Sequence, residues 1–258
     1  GSLGPEAPLV QVNGSLGSWL ADKLNLQIKE TRVLTFCGMS AALAAFFGDP
    51  IGGPLFALEI PHRRGIEYYE AIIPAVVSGI CSFAIFRMGT GLEVGGFYHF
   101  DAFFDTIPTL SWLNLFEGVG LGLVGGIAGI LFIGIFRAMK WMIRHIEHQH
   151  VLLAVLGGLG FGWLAVLYPQ TLFFSEQQIQ TQLIEQATTL TVVTLLGICL
   201  AKMVAISFTI HGGFRGGFIF PLFFTGASLG MAIAFGMPQI HPTLAMLCCM
   251  AAINEAIT

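Results

Sequence analysis

Glu6 stands at the head of an apolar helix that begins near Leu9, inside the run Gly4-Pro5-Glu6-Ala7-Pro8. A carboxylate there lies at the positive end of the helix macrodipole, in the place an anion would take. An ionisable group at the start of an apolar membrane helix is a functional-site candidate by default. A second stretch of similar character, Gly216-Gly217-Phe218-Ile219-Phe220-Pro221, opens a helix running to about Phe235. Glycine lets backbone come close to a ligand, and proline suits a first turn, where the N–H it lacks has no helical partner. The first-turn N–H groups that remain form an anion site without any buried Lys or Arg. A mobile anion is better served by such dipoles than by a full cation, which would trap it. Glu6 is then the anion's competitor, seated when ionised and released when protonated or displaced. The plainer alternative is two ordinary helix starts with close-packing glycines, Glu6 merely balancing a dipole.

Other reactive residue types have plainer readings. His145-x-x-His148-x-His150 has the look of a metal site or of a membrane oxygenase's histidine box. It occurs once, in a basic connection, whereas such enzymes need several boxes to complete a ligand set. No metal and no cofactor are expected, and no enzymatic activity. Gly118, Gly120, Gly122, Gly125, Gly126 and Gly129 read as one packing surface, with no following Lys to make a phosphate loop. Cys37, Cys81, Cys199, Cys248 and Cys249 all lie in apolar runs and read as small core residues. The aromatic stretch Phe97, Tyr98, Phe100, Phe103 and Phe104 suits an interfacial belt or lid. Arg215, just before the second glycine-rich stretch, either attracts anions or caps a carbonyl.

The elements that position these residues are membrane helices. The 258 residues are 55% hydrophobic and only 10% charged, against about 25% charged in soluble domains. So few charges cannot cover a soluble protein of this size, and the net charge of −4 argues against nucleic acid. Apolar runs at 71–86, 113–136, 151–168, 190–210 and 218–237 each approach the ~20 residues that span a hydrocarbon core. Residues 33–47 and 51–60 are shorter runs broken by Gly48-Asp49-Pro50, and 243–253 is shorter still. Such interrupted helices suit half-helices that meet inside the bilayer. Residues 1–88 read as part of a first inverted half, 89–111 as an external connection, and 112–258 as part of a second half. The opening Gly1-Ser2 without a Met reads as a possible tag scar on a piece of a longer protein. Eight of the 11 Lys and Arg fall in three patches, Lys23/Lys29/Arg32, Arg63/Arg64 and Arg137/Lys140/Arg144. The connections 88–111 and 168–186 carry acids and no Lys or Arg, which orients the basic patches to the cytoplasm and these connections outward. Gly4, Pro8, Leu9, Ser15, Leu16 and Gly17 recur 213 positions later as Gly217, Pro221, Leu222, Ser228, Leu229 and Gly230, as two halves of an inverted-repeat transporter would.

Gly4-Pro5-Glu6-Ala7-Pro8-Leu9-Val10-Gln11 resembles the G-[KR]-E-G-P-x-x-Q motif of the CLC chloride channels and chloride/proton antiporters. Phe47-Gly48-Asp49-Pro50-Ile51-Gly52-Gly53-Pro54-Leu55-Phe56-Ala57-Leu58-Glu59 is similar to that family's F-N-A-P-L-A-G-x-L-F-x-x-E. Gly216–Pro221 resembles its G-G-x-F-x-P, and Ala251–Thr258 looks like the segment before its last re-entrant pair. The chain departs from these patterns at Pro5, Ala7, Asp49 and Ile219, and it carries neither the family's serine-bearing G-S-G-I-P nor its tyrosine-bearing late helix.

The resemblance implies an all-α polytopic membrane protein with CLC-type inverted-repeat architecture, half-helices meeting at the bilayer midplane. It implies a homodimer in the cell membrane, with one path per subunit for chloride or another small anion. Glu6 takes the gating position, and Gly4, Pro5, Ala7, Gly217, Phe218 and Ile219 line the anion site. Antiporters of the family often carry a second glutamate immediately after the one matching Glu59, and here that residue is Ile60. An aliphatic side chain cannot take a proton, so the expectation is a passive, voltage-gated type of channel that pumps no protons. Proton-coupled exchange is the alternative, with Glu59 as substitute carrier. Glu59 points about 100° from its neighbour on a helix, and pairing with Arg63 one turn on is its simpler role. A membrane metalloenzyme built on the histidines and a non-conducting relic are the remaining readings.

Overall fold

The computed structural model describes residues 2–60, 69–91 and 111–257. Every regular element among them is helical, apart from one isolated antiparallel bridge between Gly4 and Gly217. The chain forms two compact units, one spanning Pro5–Phe97 and one made of Gly1–Gly4 with Tyr98–Thr258. Residues 92–110 of the expected external connection, with its aromatic stretch from Phe97 to Phe104, and Arg63 and Arg64 lie outside the described residues, whereas its first two residues belong to a helix that ends at Thr90.

In the smaller unit the helices are α1 (Glu6–Lys23), α2 (Ile28–Phe47), α3 (Gly52–Glu59) and α4 (Tyr69–Thr90). A capping box starts α2, the Gln27 N–H donating to Glu30 Oε2 at 2.8 Å. Gly48, at φ 67°, stops it in the left-handed conformation that glycine tolerates. The Asp49 carboxylate then accepts from the N–H groups of Ile51 (3.0 Å) and Gly52 (2.8 Å), so the expected break at 48–50 both ends one helix and caps the next. Glycine sets the crossing of α1 and α2. A Cβ at Gly17 would lie 2.1 Å from the Leu34 carbonyl oxygen, and one at Gly38 2.1 Å from that of Asn13. Ser78 and Ser82 of α4 donate to the carbonyls of Cys37 and Ala41 in α2, at 2.9 and 2.8 Å.

The larger unit holds α5 (Trp112–Ile143), α6 (His150–Leu167), α8 (Val192–His211), α9 (Ile219–Gly236) and α10 (Pro242–Glu255). Between α6 and α8 the chain runs through short pieces, including the single turn α7 (Glu176–Gln178) and a π turn at Ile179–Ile184. Ile179, Leu183 and Ile184 are fully buried and pack with Phe224, Ala227 and Met231 of α9. This connection is therefore part of the core rather than a plain surface loop. Hydroxyl caps open α5 and α8, Ser111 accepting from Asn114 N–H and Thr191 from Thr194 N–H, each at 3.2 Å.

Helix α9 is the unit's centre, with 72% of its apolar window buried against 17% for the lipid-type helix α6. Cβ atoms at Gly226 and Gly230 would meet α10 backbone at 2.6 Å (Met250 Cα) and 2.3 Å (Ala245 oxygen). The α5 glycines divide by face. Gly125 and Gly129 press on Ala252 and Ala256, whereas Gly120, Gly122 and Gly126 have nothing within 4 Å, so the six do not form one packing surface within the chain.

Among the described residues five helices, α4, α5, α6, α8 and α9, are long and apolar enough to cross a membrane. They coincide with the five expected spans, and the chain is an integral membrane protein. Adding one Cβ to the two types of glycine should separate them. Gly230→Ala is expected to destabilise the detergent-solubilised protein by about 1–3 kcal/mol and Gly126→Ala by less than about 0.5 kcal/mol, read as thermal melting shifts.

Candidate anion site

Helix α8 ends on Gly212, and Gly213 (φ 84°) reverses the chain, its N–H and that of Phe214 donating back to Ile210 and Thr209 carbonyls at 3.0 and 3.2 Å. Five residues later α9 begins, with Phe218 as N-cap and Pro221 at its third position. Because proline has no N–H, Pro221 contributes no donor to this first turn. The Phe218 N–H has no partner among the described residues. The fourth donor, Leu222 N–H, already bonds the Phe218 carbonyl at 2.9 Å.

Helix α1 begins in the same way. Pro5 is its N-cap and Pro8 its third residue, and Leu9 N–H bonds the Pro5 carbonyl at 3.0 Å. The sequence reading started this helix near Leu9; it starts at Glu6, whose carboxylate occupies the first turn and is only 2% exposed. Ala7 N–H has no partner among the described residues. Helices α1 and α9 share the 213-residue offset of the sequence echo at both ends.

Gly4 and Gly217, both expected among the anion's donors, spend their N–H groups on each other. Gly4 N–H donates to the Gly217 carbonyl at 2.7 Å and Gly217 N–H to the Gly4 carbonyl at 2.8 Å. These reciprocal bonds brace the chain ahead of α9. Pro5 likewise has no N–H to give. A Cβ at Gly216 would come within 2.7 Å of Leu3 Cβ and 3.0 Å of the Gly4 oxygen, so the brace requires glycine there. Ser2 N–H extends it to Thr209 Oγ1 at 3.3 Å.

At the end of α3, Glu59 is exposed and carries no hydrogen bond or ion pair among the described residues. Ile60 follows it, 48% exposed. The expected partner Arg63 lies outside the described residues. His145, His148 and His150 assemble no group of three metal-binding side chains among the described residues, and Arg144 Nε donates to His145 Nε2 at 3.2 Å.

Lys202 was missed in the sequence. It lies within α8, has no exposed surface, and its Nζ donates to the carbonyls of Thr171 (3.0 Å) and Phe173 (2.9 Å) and to Ser175 Oγ. The signal was available: a lone charge inside an apolar span demands partners.

A family model described as voltage gated chloride channel matches residues 1–258. A chloride/fluoride channel protein of Pseudomonas syringae pv. tomato is 27% identical over 247 residues, 95% of this chain and 52% of the relative. An H(+)/Cl(-) exchange transporter ClcA of Cronobacter sakazakii is 32% identical over 249 residues, 93% of this chain and 51% of the relative. A solved structure of a CLC-type fluoride/proton antiporter superposes with a TM-score of 0.74 at 26% identity, covering 100% of this chain and 61% of that one. The chain spans about half the length of the curated relatives it matches.

Gly216→Val should force Leu3 and Gly4 away from Gly217. Anion efflux from liposomes holding the full-length protein is expected to fall about tenfold or more, since small misplacements of aligned donors are costly. Unchanged efflux would remove the brace from the site.

Proposed function

We propose that this chain, which belongs to the voltage gated chloride channel (CLC) family, forms the anion-handling part of a transporter that exchanges a small anion for protons. The observation that carries this reading is the fluoride/proton antiporter whose fold matches the entire chain, supported by relatives named as H(+)/Cl(-) exchange transporters. These names favour exchange over the passive channel expected from Ile60. Chloride is the first candidate, with fluoride its competitor.

The chemistry follows from the helix starts. Phe218 and Ile219 N–H groups, at the positive end of α9, stabilise an anion without a full cation, and the Ala7 N–H belongs to the corresponding turn of α1. Glu6 is the gate. Ionised, its carboxylate satisfies a helix end as an anion would; protonated, it binds there far less well and yields. Glu59, exposed and without a partner among the described residues, is the proton's point of uptake, taking the part that Ile60 cannot. A homodimer with one path per subunit, residing in the cell membrane, completes the proposal.

A chloride gradient imposed on liposomes with the full-length protein should drive protons uphill. Glu59→Gln should abolish the pumping and keep anion flux. Glu6→Gln, which cannot ionise, should abolish it too while raising anion flux and flattening its pH dependence. The second reading is the passive channel, which rests on Ile60. It is favoured if anion flux is robust and no proton movement exceeds leak.

A further inference from the structure

Lys202 is the fully buried cation of the larger unit, and it lies outside the chemistry proposed above. Its ammonium group has three N–H donors and three acceptors: the Thr171 and Phe173 carbonyls and the Ser175 hydroxyl. Thr171 and Ser175 are fully buried as well. None of the acceptors is a carboxylate, so this is not an ion pair. The ammonium ties one turn of backbone together from inside, as a structural metal ion would.

That turn is held in an unfavourable shape. Phe173 and Ser175 both have positive φ, 58° and 74°, a conformation that side chains other than glycine seldom adopt. Such geometry persists where surrounding contacts over-determine it, and here the contacts converge on one side chain. Between these two residues sits Phe174, whose ring meets that of Phe220 edge-on with centroids 6.2 Å apart. Phe220 is 2% exposed, belongs to the first turn of α9, and meets Phe223 edge-on at 5.9 Å. One turn on, the Phe224 ring lies 5.3 Å from Lys202 Nζ. The clamped turn and the clamping cation thus both bear on the helix whose first turn carries the Phe218 and Ile219 donors.

We propose that Lys202 is a positioning residue for anion binding. Through the 171–175 turn and the Phe174–Phe220 contact it fixes the first turn of α9, so that the Phe218 and Ile219 N–H groups stay aligned on the anion. The inference rests on the anion-site reading above. Lys202 itself does not touch the anion.

The test is chloride binding by isothermal titration calorimetry, with thermal melting alongside, on the full-length protein in detergent. Lys202→Met removes all three donors and frees the turn. Phe174→Leu leaves the clamp intact and cuts its link to α9, a milder change that preserves a bulky apolar side chain. Each is expected to raise the chloride Kd about tenfold, with the double variant no weaker than the weaker single, because both act along one route. A lowered melting temperature with an unchanged Kd would reduce Lys202 to a purely structural role and overturn the proposal. So would a Kd raised by Lys202→Met but untouched by Phe174→Leu, which would mean that the charge acts directly. If the unmodified protein binds neither chloride nor fluoride, the anion-site reading itself fails, which the variants alone could not reveal.

Discussion

A helix that begins inside a hydrocarbon core leaves its first N–H groups where water cannot reach them, and each unsatisfied group there is costly. The structure meets this constraint in several ways at once. Proline at the third position of α1 and of α9 deletes one donor outright. The paired Gly4 and Gly217 peptides satisfy two more ahead of those helices. At the start of α9 the Phe218 N–H, and at the start of α1 the Ala7 N–H, has no partner among the described residues. In the first turn of α1 the buried carboxylate of Glu6 is an anionic group that the chain itself supplies to a helix start.

Holding those few donors in place requires stiffness, and in a membrane stiffness cannot come from hydrophobic exclusion between helices. It comes from contact. At Gly17 and Gly38 in one unit, and at Gly226 and Gly230 in the other, helices touch backbone to backbone with no room for a methyl group. Gly17 and Gly230 are partners in the sequence echo, and each presses on the carbonyl of the helix that follows its own. The echo therefore records a shared crossing as well as a shared helix start. Serine hydroxyls donating from α4 to α2 add directional contacts where lipid offers none.

Much of this was legible in the sequence, because bilayer spans and glycine–proline punctuation are strong local signals. The five spans, the break at Gly48-Asp49-Pro50 and the glycine–proline punctuation ahead of α1 and α9 were written there, although α1 starts at Glu6 and not near Leu9. Partnership was not. Six glycines along α5 look alike in a string, and only the placement of Ala252 and Ala256 separates Gly125 and Gly129 from the rest. The pairing of Gly4 with Gly217 joins residues far apart in the chain, and it turns two expected donors into a brace. The acids of the 168–186 connection were visible in the sequence, and its burial of Ile179 and Leu183 was not. Lys202 belongs to none of the basic patches, and its significance lies in standing alone within an apolar span. Ile60 pointed towards a channel, whereas a string of residues does not show that its neighbour Glu59 is exposed and carries no hydrogen bond or ion pair among the described residues.

Helix α5 also fixes depth. Its uncharged stretch between Glu117 and Arg137 measures roughly 28 Å at 1.5 Å per residue, close to the ~30 Å of an average hydrocarbon core. Trp112 and Trp141, both exposed, flank the helix beyond those charges at the level where indole rings settle in the headgroups. A helix so matched has little slack. A thinner bilayer can be met by tilting, but a thicker one must either pinch around the helix or draw Glu117 or Arg137 towards its apolar interior. Because α5 packs through Gly125 and Gly129 on α10, and α10 packs on α9 through Gly226 and Gly230, a strain that acyl-chain length puts on α5 falls on a continuous stack of close helix contacts.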